Sequence, residues 1–157
     1  MNRTITFLLS FCAALFSCSK TTVIDPYFFG NGMEEIHIKA SNKGSFPASK
    51  TFRIINAFID ANLLYLQIEY KSSCIGNDQF DFTGGQLTFD SSGKAHRTAR
   101  LSIKGNDNDC DLKNITKIID LRALTSYKER DAETILHIGG WRTLMTYVYI
   151  PHRDNKK

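Results

Sequence analysis

The chain has 157 residues, of which 42% are hydrophobic and 23% charged, and its formal net charge is +4. That length suits one domain with a sizeable core. The small positive surplus excludes a protein that holds nucleic acid mainly by charge.

The first seventeen residues have a secretory layout. Arg3 is their only charge, and an almost wholly apolar run follows from Ile5 to Phe16. A run of about a dozen is too short to cross a hydrocarbon core, which needs roughly 20 residues, and fits the apolar region of a signal peptide. It ends in Leu15-Phe16-Ser17-Cys18. This resembles the lipobox of bacterial lipoproteins: an aliphatic residue, a variable one, a small one, then cysteine. Phe16 is bulkier than that pattern prefers, whereas Ser17 fits it. The resemblance implies cleavage before Cys18 and fatty acyl chains, palmitate among them, on that cysteine. Cys12 fails the same test, because Phe11 precedes it where a small residue is wanted. The alternative is an ordinary signal peptide with an incidental cysteine. Loss of residues 1–17 takes only Arg3 from the charge, which falls to +3.

Residues 18–33 read as a lipidated tether. Pro26, Gly30 and Asn31 break any periodicity, and the trio Tyr27-Phe28-Phe29 either packs on the domain or lies near the lipid. The domain proper is expected over residues 34–152, with a basic tail over 153–157.

Within the domain the pattern is period two, the mark of half-buried strands. Ile36, Ile38 and Ala40 alternate with Glu35, His37 and Lys39. A loop over Ser41–Lys50 carries Gly44 and Pro47. Thr51–Ile59 and Leu63–Lys71 read as a hairpin closed by Asp60-Ala61-Asn62. Short strands follow at Gln79–Phe82, Gln86–Phe89 and Arg97–Lys104. In the last of these Ala99, Leu101 and Ile103 point inward and Arg100, Ser102 and Lys104 outward. Lys117–Leu124 reads as a strand ending in a short helical turn. Thr134–Ile138 and Thr143–Ile150 form a final pair, joined by Gly139-Gly140 as the positive-φ residues of a tight turn, with Pro151 ending it. This is an all-β chain. An immunoglobulin-like antiparallel β-sandwich of about seven to eight strands is expected, in preference to a small barrel.

Of the four cysteines, Cys12 leaves with the leader and Cys18 takes lipid, so Cys74 and Cys110 remain. An even pair in an exported chain reads as a disulfide; two free buried thiols are the alternative. No Cys-x-x-Cys is present, so a zinc site is not expected.

Candidate chemistry is sparse. Asp107, Asp109 and Asp111 alternate as calcium ligands do, but an EF-hand needs glycine next and a glutamate six residues on. Leu112 and Ile118 stand nearest those places, so the segment reads as a polar turn carrying Cys110. His37, His96, His137 and His152 fall on different expected elements, and none lies in a recognised nucleophile motif. No catalytic residue and no metal site is assigned, and no cofactor is expected beyond the lipid on Cys18. Trp141, Arg142, Tyr147 and Tyr149 are a candidate interaction patch, since aromatic residues and arginine are favoured at binding hot spots. The competing reading places Trp141 as a cap on the core.

One resemblance covers roughly residues 50 to 150. The strand Leu64-Tyr65-Leu66-Gln67-Ile68-Glu69-Tyr70 leads to Ser73-Cys74. A short aromatic strand holds Phe80 and Phe82. Ala99-Arg100-Leu101-Ser102-Ile103 precedes Asp109-Cys110, and Ile118-Ile119-Asp120-Leu121 follows. The order resembles small lipoproteins of the Bacteroidota, the NigD-like group among them. Ser73 stands where those often carry glycine, and Ile119 where they often carry phenylalanine. The resemblance implies a β-sandwich and a Cys74–Cys110 bridge, and brings no established chemistry. The sequence therefore leads to a membrane-anchored envelope lipoprotein that is not an enzyme. Its expected role is to bind a protein partner, with a toxin-neutralising immunity protein as the concrete variant. The alternative is a lipoprotein that binds or processes a small ligand or glycan at the loop end of the sandwich. Ser19, Lys20, Thr21 and Thr22 after the anchor include no acidic pair, which leans toward the outer membrane with the domain facing the periplasm.

Overall fold

A computed structural model describes residues 36–74, 77–105, 109–127 and 132–151. These residues form nine strands and one short 3₁₀ turn. The strands are β1 (Ile36–Lys39), β2 (Ser41–Asn42), β3 (Phe52–Asp60), β4 (Leu63–Ser73), β5 (Gln79–Phe89), β6 (Ala95–Lys104), β7 (Asp109–Asp120), β8 (Glu133–Ile138) and β9 (Met145–Val148); the turn is Arg122–Leu124. The first sheet has the order β1-β7-β4-β3 and the second β2-β5-β6-β8-β9.

The period-two pattern read from the sequence sets the inner faces. Leu64, Leu66, Ile68 and Tyr70 of β4, with Ile115 and Ile119 of β7, supply the core side of the first sheet. Phe82, Ala99, Leu101, Ile103, Leu136, Ile138 and Tyr147 supply the second. All belong to one buried cluster, so the two faces close on each other as a β-sandwich.

The expectation of an antiparallel sandwich needs correction, because three neighbouring pairs are parallel: β1 with β7, β2 with β5, and β6 with β8. The first two arise because one extended run splits between the sheets at Ala40. The Ala40 amide still bonds the Asp120 carbonyl at 3.0 Å, and the chain then moves over to β5. The third arises because β7, which separates β6 from β8 in sequence, lies in the other sheet. A parallel pair requires a crossover, and β7 supplies it.

Three further boundaries move, and one outward-facing residue is buried. The two short strands expected at residues 79–89 are one, β5, with a register shift between Gly84 and Leu87. The glycines there answer to packing: a Cβ on Gly84 would lie 2.5 Å from Leu124 Cδ2. The polar turn expected around Cys110 is the start of β7, which pairs along β4 from Ser73 opposite Asp109 to Leu63 opposite Asp120. Backbone pairing carries the strand through its polar end whatever the side chains. Ser102 faces outward as expected, yet is buried beneath the loop between β2 and β3, its hydroxyl donating to the Pro47 carbonyl at 3.4 Å. Finally, Gly139-Gly140 do form a tight turn, with the Trp141 amide donating to the Ile138 carbonyl at 3.0 Å, but β9 pairs with β8 only from Met145 opposite Leu136, so the connection is longer than a two-residue hairpin. Only Gly140 has a positive φ, of 85°, and Gly139 stays tied to β6 through the Ala99 carbonyl at 2.8 Å.

The β3–β4 hairpin turns at Ala61-Asn62, with Ala61 at φ 51°. Asn62 joins the two sheets. Its side-chain carbonyl accepts from the Tyr147 hydroxyl at 2.9 Å and the Ile150 amide at 3.0 Å.

Candidate functional site

The expected site residues fare differently. Cys18 and Asp107 lie outside the described residues, as do the tether and the basic tail. Cys74 and Cys110 form the disulfide, with Cα atoms 4.9 Å apart. The patch of Trp141, Arg142, Tyr147 and Tyr149 does not assemble as an exposed surface. Alternation along β9 turns Tyr147 fully inward, its hydroxyl held by Asn62 and its ionisation pushed upward by burial. Trp141 and Tyr149 are half-buried against the core, and Arg142 alone of the four is exposed. The outward-facing apolar residues of this edge are Leu144, Val148 and Ile150, at 55%, 37% and 46% exposure.

Beside the disulfide lies a buried polar cluster that the sequence does not announce. The Ser73 hydroxyl donates to Asp78 Oδ1 at 2.6 Å and accepts from Lys50 Nζ at 2.8 Å. The Ser73 amide donates to Asp78 Oδ2 at 2.9 Å. Lys50 Nζ stands 3.7 Å from the same carboxylate. Burial by itself would raise the Asp78 pKa. The Ser73 hydroxyl and amide, the Lys50 charge and the Tyr70 hydroxyl outweigh it and hold the carboxyl below its usual range. Gly105 permits this packing, since a Cβ there would fall 2.1 Å from Asp78 Oδ1. A serine within reach of a lysine amine suggests an activated nucleophile. Here Ser73 is buried and its hydroxyl and amide are both bonded, so the cluster fastens the end of β4.

The second cluster is open to solvent. Asp90 begins the turn between β5 and β6, where Gly93 has φ 80°. Asp90 Oδ1 accepts from the Ser92 amide and hydroxyl and from the Lys94 amide, at 2.9, 2.7 and 2.9 Å. Its other oxygen faces His96 Nε2 at 3.1 Å. On the far side of the ring, His96 Nδ1 lies 3.0 Å from His137 Nε2. The Ser92 hydroxyl foremost, then the Lys94 amide and His96, hold the Asp90 carboxyl far below the ordinary range.

An ionised carboxylate only accepts, so His96 carries its proton on Nε2. In the neutral ring Nδ1 is then an acceptor, and His137 donates from Nε2. One aspartate thereby sets both tautomers. The three residues line a groove of about 400 Å³ on the outer face of the second sheet, together with Gln86, Thr88, Phe89 and Thr98. Reading the histidines as scattered is thus corrected for His96 and His137. They sit on neighbouring parallel strands, with Thr98 opposite His137 and His96 opposite Ile135. The outward parity of each was readable, but the parallel neighbourhood that joins them was not. Among the described residues no three His, Cys, Asp or Glu side chains converge to cage a metal ion.

No protein-family model matches the chain, and no curated protein matches it. Among solved structures, a crystal structure of a NigD-like immunity protein from Bacteroides caccae is similar. The TM-score is 0.51 and the identity 9%, over 73% of this chain and 65% of that one. This chain therefore spans less than two thirds of that protein's length. The likeness is one of fold, a β-sandwich shared with an immunity-type protein.

Proposed function

We propose that this chain is a lipid-anchored envelope lipoprotein without enzymatic activity, which binds a protein partner in the manner of an immunity protein. Acyl chains on Cys18 hold it at the outer membrane, and the sandwich faces the periplasm. One chain binds a bilayer only marginally, whereas two or three hold it firmly, each buried methylene contributing roughly 0.8 kcal/mol.

The observation that carries the binding role is the edge of the second sheet. Along β9 and just beyond it, Leu144, Val148 and Ile150 stand in water at 37–55% exposure. Within the second sheet, β9 has β8 as its neighbour and ends the strand order. An apolar strand edge left open invites pairing or docking. Two things support a non-enzymatic role. The interior is filled by packed side chains, and Ser73 is buried away from solvent. The fold shared with a NigD-like immunity protein supports the immunity variant, in which the partner is a toxin.

Site-specific photo-crosslinking in intact cells tests this. A crosslinker at Val148 is expected to capture a discrete protein partner, and one at Lys104, an exposed position on β6, is not. Equal capture at both positions, or none at Val148, contradicts the binding role. A captured partner with no toxic activity contradicts the immunity variant alone.

A further inference from the structure

We infer that His96 and His137, oriented by Asp90, form a two-histidine site for a divalent d-block cation such as Zn²⁺, Ni²⁺ or Cu²⁺. It does not depend on the partner-binding role, because it rests on the Asp90, His96 and His137 geometry and not on the apolar edge of β9.

Imidazole nitrogen is a favoured ligand for these ions. A histidine that binds metal through one nitrogen almost always gives its other N–H to a carboxylate or carbonyl, which fixes the ring and raises its basicity. His96 already has that arrangement. Nε2 faces Asp90 at 3.1 Å, and Nδ1 points its lone pair toward His137. Asp90 is in turn fixed by the Ser92 and Lys94 donors on its other oxygen. The carboxylate is therefore a rigid orienting group.

The two nitrogens that would bind are 3.0 Å apart. In a tetrahedral zinc site with bonds of 2.0–2.1 Å, two nitrogens lie roughly 3.4 Å apart. Binding thus opens the pair by about 0.4 Å and turns the rings so that both lone pairs meet at one point beside the present contact. The rings are already inclined at 44°. The strands that carry them are paired neighbours, so side-chain rotation alone can supply the change.

The proton count closes. Before binding, the bridging proton sits on His137 Nε2. On binding it moves to Nδ1 of the same ring through solvent, and the metal takes the vacated lone pair. His96 keeps its proton on Nε2, and none is lost to bulk. The remaining coordination positions open to the groove, where water or an oxygen or nitrogen donor of a bound molecule completes the shell. A site with two protein ligands is an exchangeable one.

The competing account is that the Asp90–His96–His137 chain only ties the β5–β6 turn to β8. Metal titration of the full chain in detergent at neutral pH, followed by calorimetry with Zn²⁺, Ni²⁺ and Cu²⁺, separates the two. The wild type is expected to bind one ion. His96→Gln and His137→Gln retain hydrogen-bonding side chains and are each expected to weaken binding at least tenfold. Asp90→Asn is the sharper test. Its side-chain oxygen remains committed to Ser92 and Lys94, so its amide faces His96 Nε2. His96 then carries its proton on Nδ1, the nitrogen the metal needs. Loss of an outer-shell partner lowers metal affinity about 10–100-fold, and that loss is expected here while the metal-free melting temperature shifts little. Binding undiminished in either glutamine variant, or unchanged in Asp90→Asn, overturns the site. So does a wild type that binds none of the three ions.

Discussion

Replacing Cys74 and Cys110 together by serine is expected to lower stability by about 4 kcal/mol, the largest single loss the domain offers outside its core. The bridge closes a separation of 36 residues, and the chain-entropy relation for a loop of that size gives this value. Local structure adds to it. The bridge joins the end of β4 to the start of β7, where Ser73 pairs with Asp109 and the register shifts after Lys71. The whole of β5 and of β6 lies inside the closed loop, so opening it frees two of the five strands of the second sheet. Chemical denaturation with and without a reductant reads the effect directly. A reductant-induced change under 1 kcal/mol would mean that the denatured chain is already constrained there.

The second large effect concerns Asp78. Asp78→Ala removes the acceptor of both Ser73 donors and the carboxylate facing Lys50, whose side chain is 12% exposed. Breaking a buried pair by deleting one member typically costs 3–5 kcal/mol, and about 3 kcal/mol is expected here. The pH dependence has a definite sign. The folded-state pKa of Asp78 lies below its ordinary value. Its contribution is therefore complete above the unfolded carboxyl pKa of about 3.9 and is lost as pH falls through the depressed folded value. The stability gap between wild type and Asp78→Asn should thus be constant near neutrality and narrow below about pH 4. A gap that widened on acidification would reverse the assignment. Because Ser73 adjoins Cys74, the two losses share one structure, and the combined variant should lose less than their sum.

The strand content was legible because period-two alternation reports which face is buried. Ala99, Leu101 and Ile103 were all placed inward by the pattern alone, and all are buried. Strand neighbourhood was not legible. Nothing local marks Ala40 as the point where a run divides between two sheets, or β7 as the crossover that makes β6 and β8 parallel. Both candidate clusters depend on such non-local facts. His96 and His137 are 41 residues apart in sequence and meet only because their strands are neighbours. Lys50 reaches Ser73 across 23 residues. Tyr147 shows the opposite error. Its aromatic neighbours suggested a surface, but its parity on β9 points inward, and the Asn62 turn supplies the partner that a buried hydroxyl requires.

The exposed edge of β9 matters to the proposed role only if the domain is held at a membrane, and that depends on Cys18. The most direct measurement is the intact mass of the protein extracted from the membrane fraction, with fragmentation to locate modifications. The expected chain begins at Cys18, lacks residues 1–17 and carries acyl mass on that cysteine. A chain that retains residues 1–17, or one whose Cys18 is unmodified while the protein stays with the membrane, would contradict it.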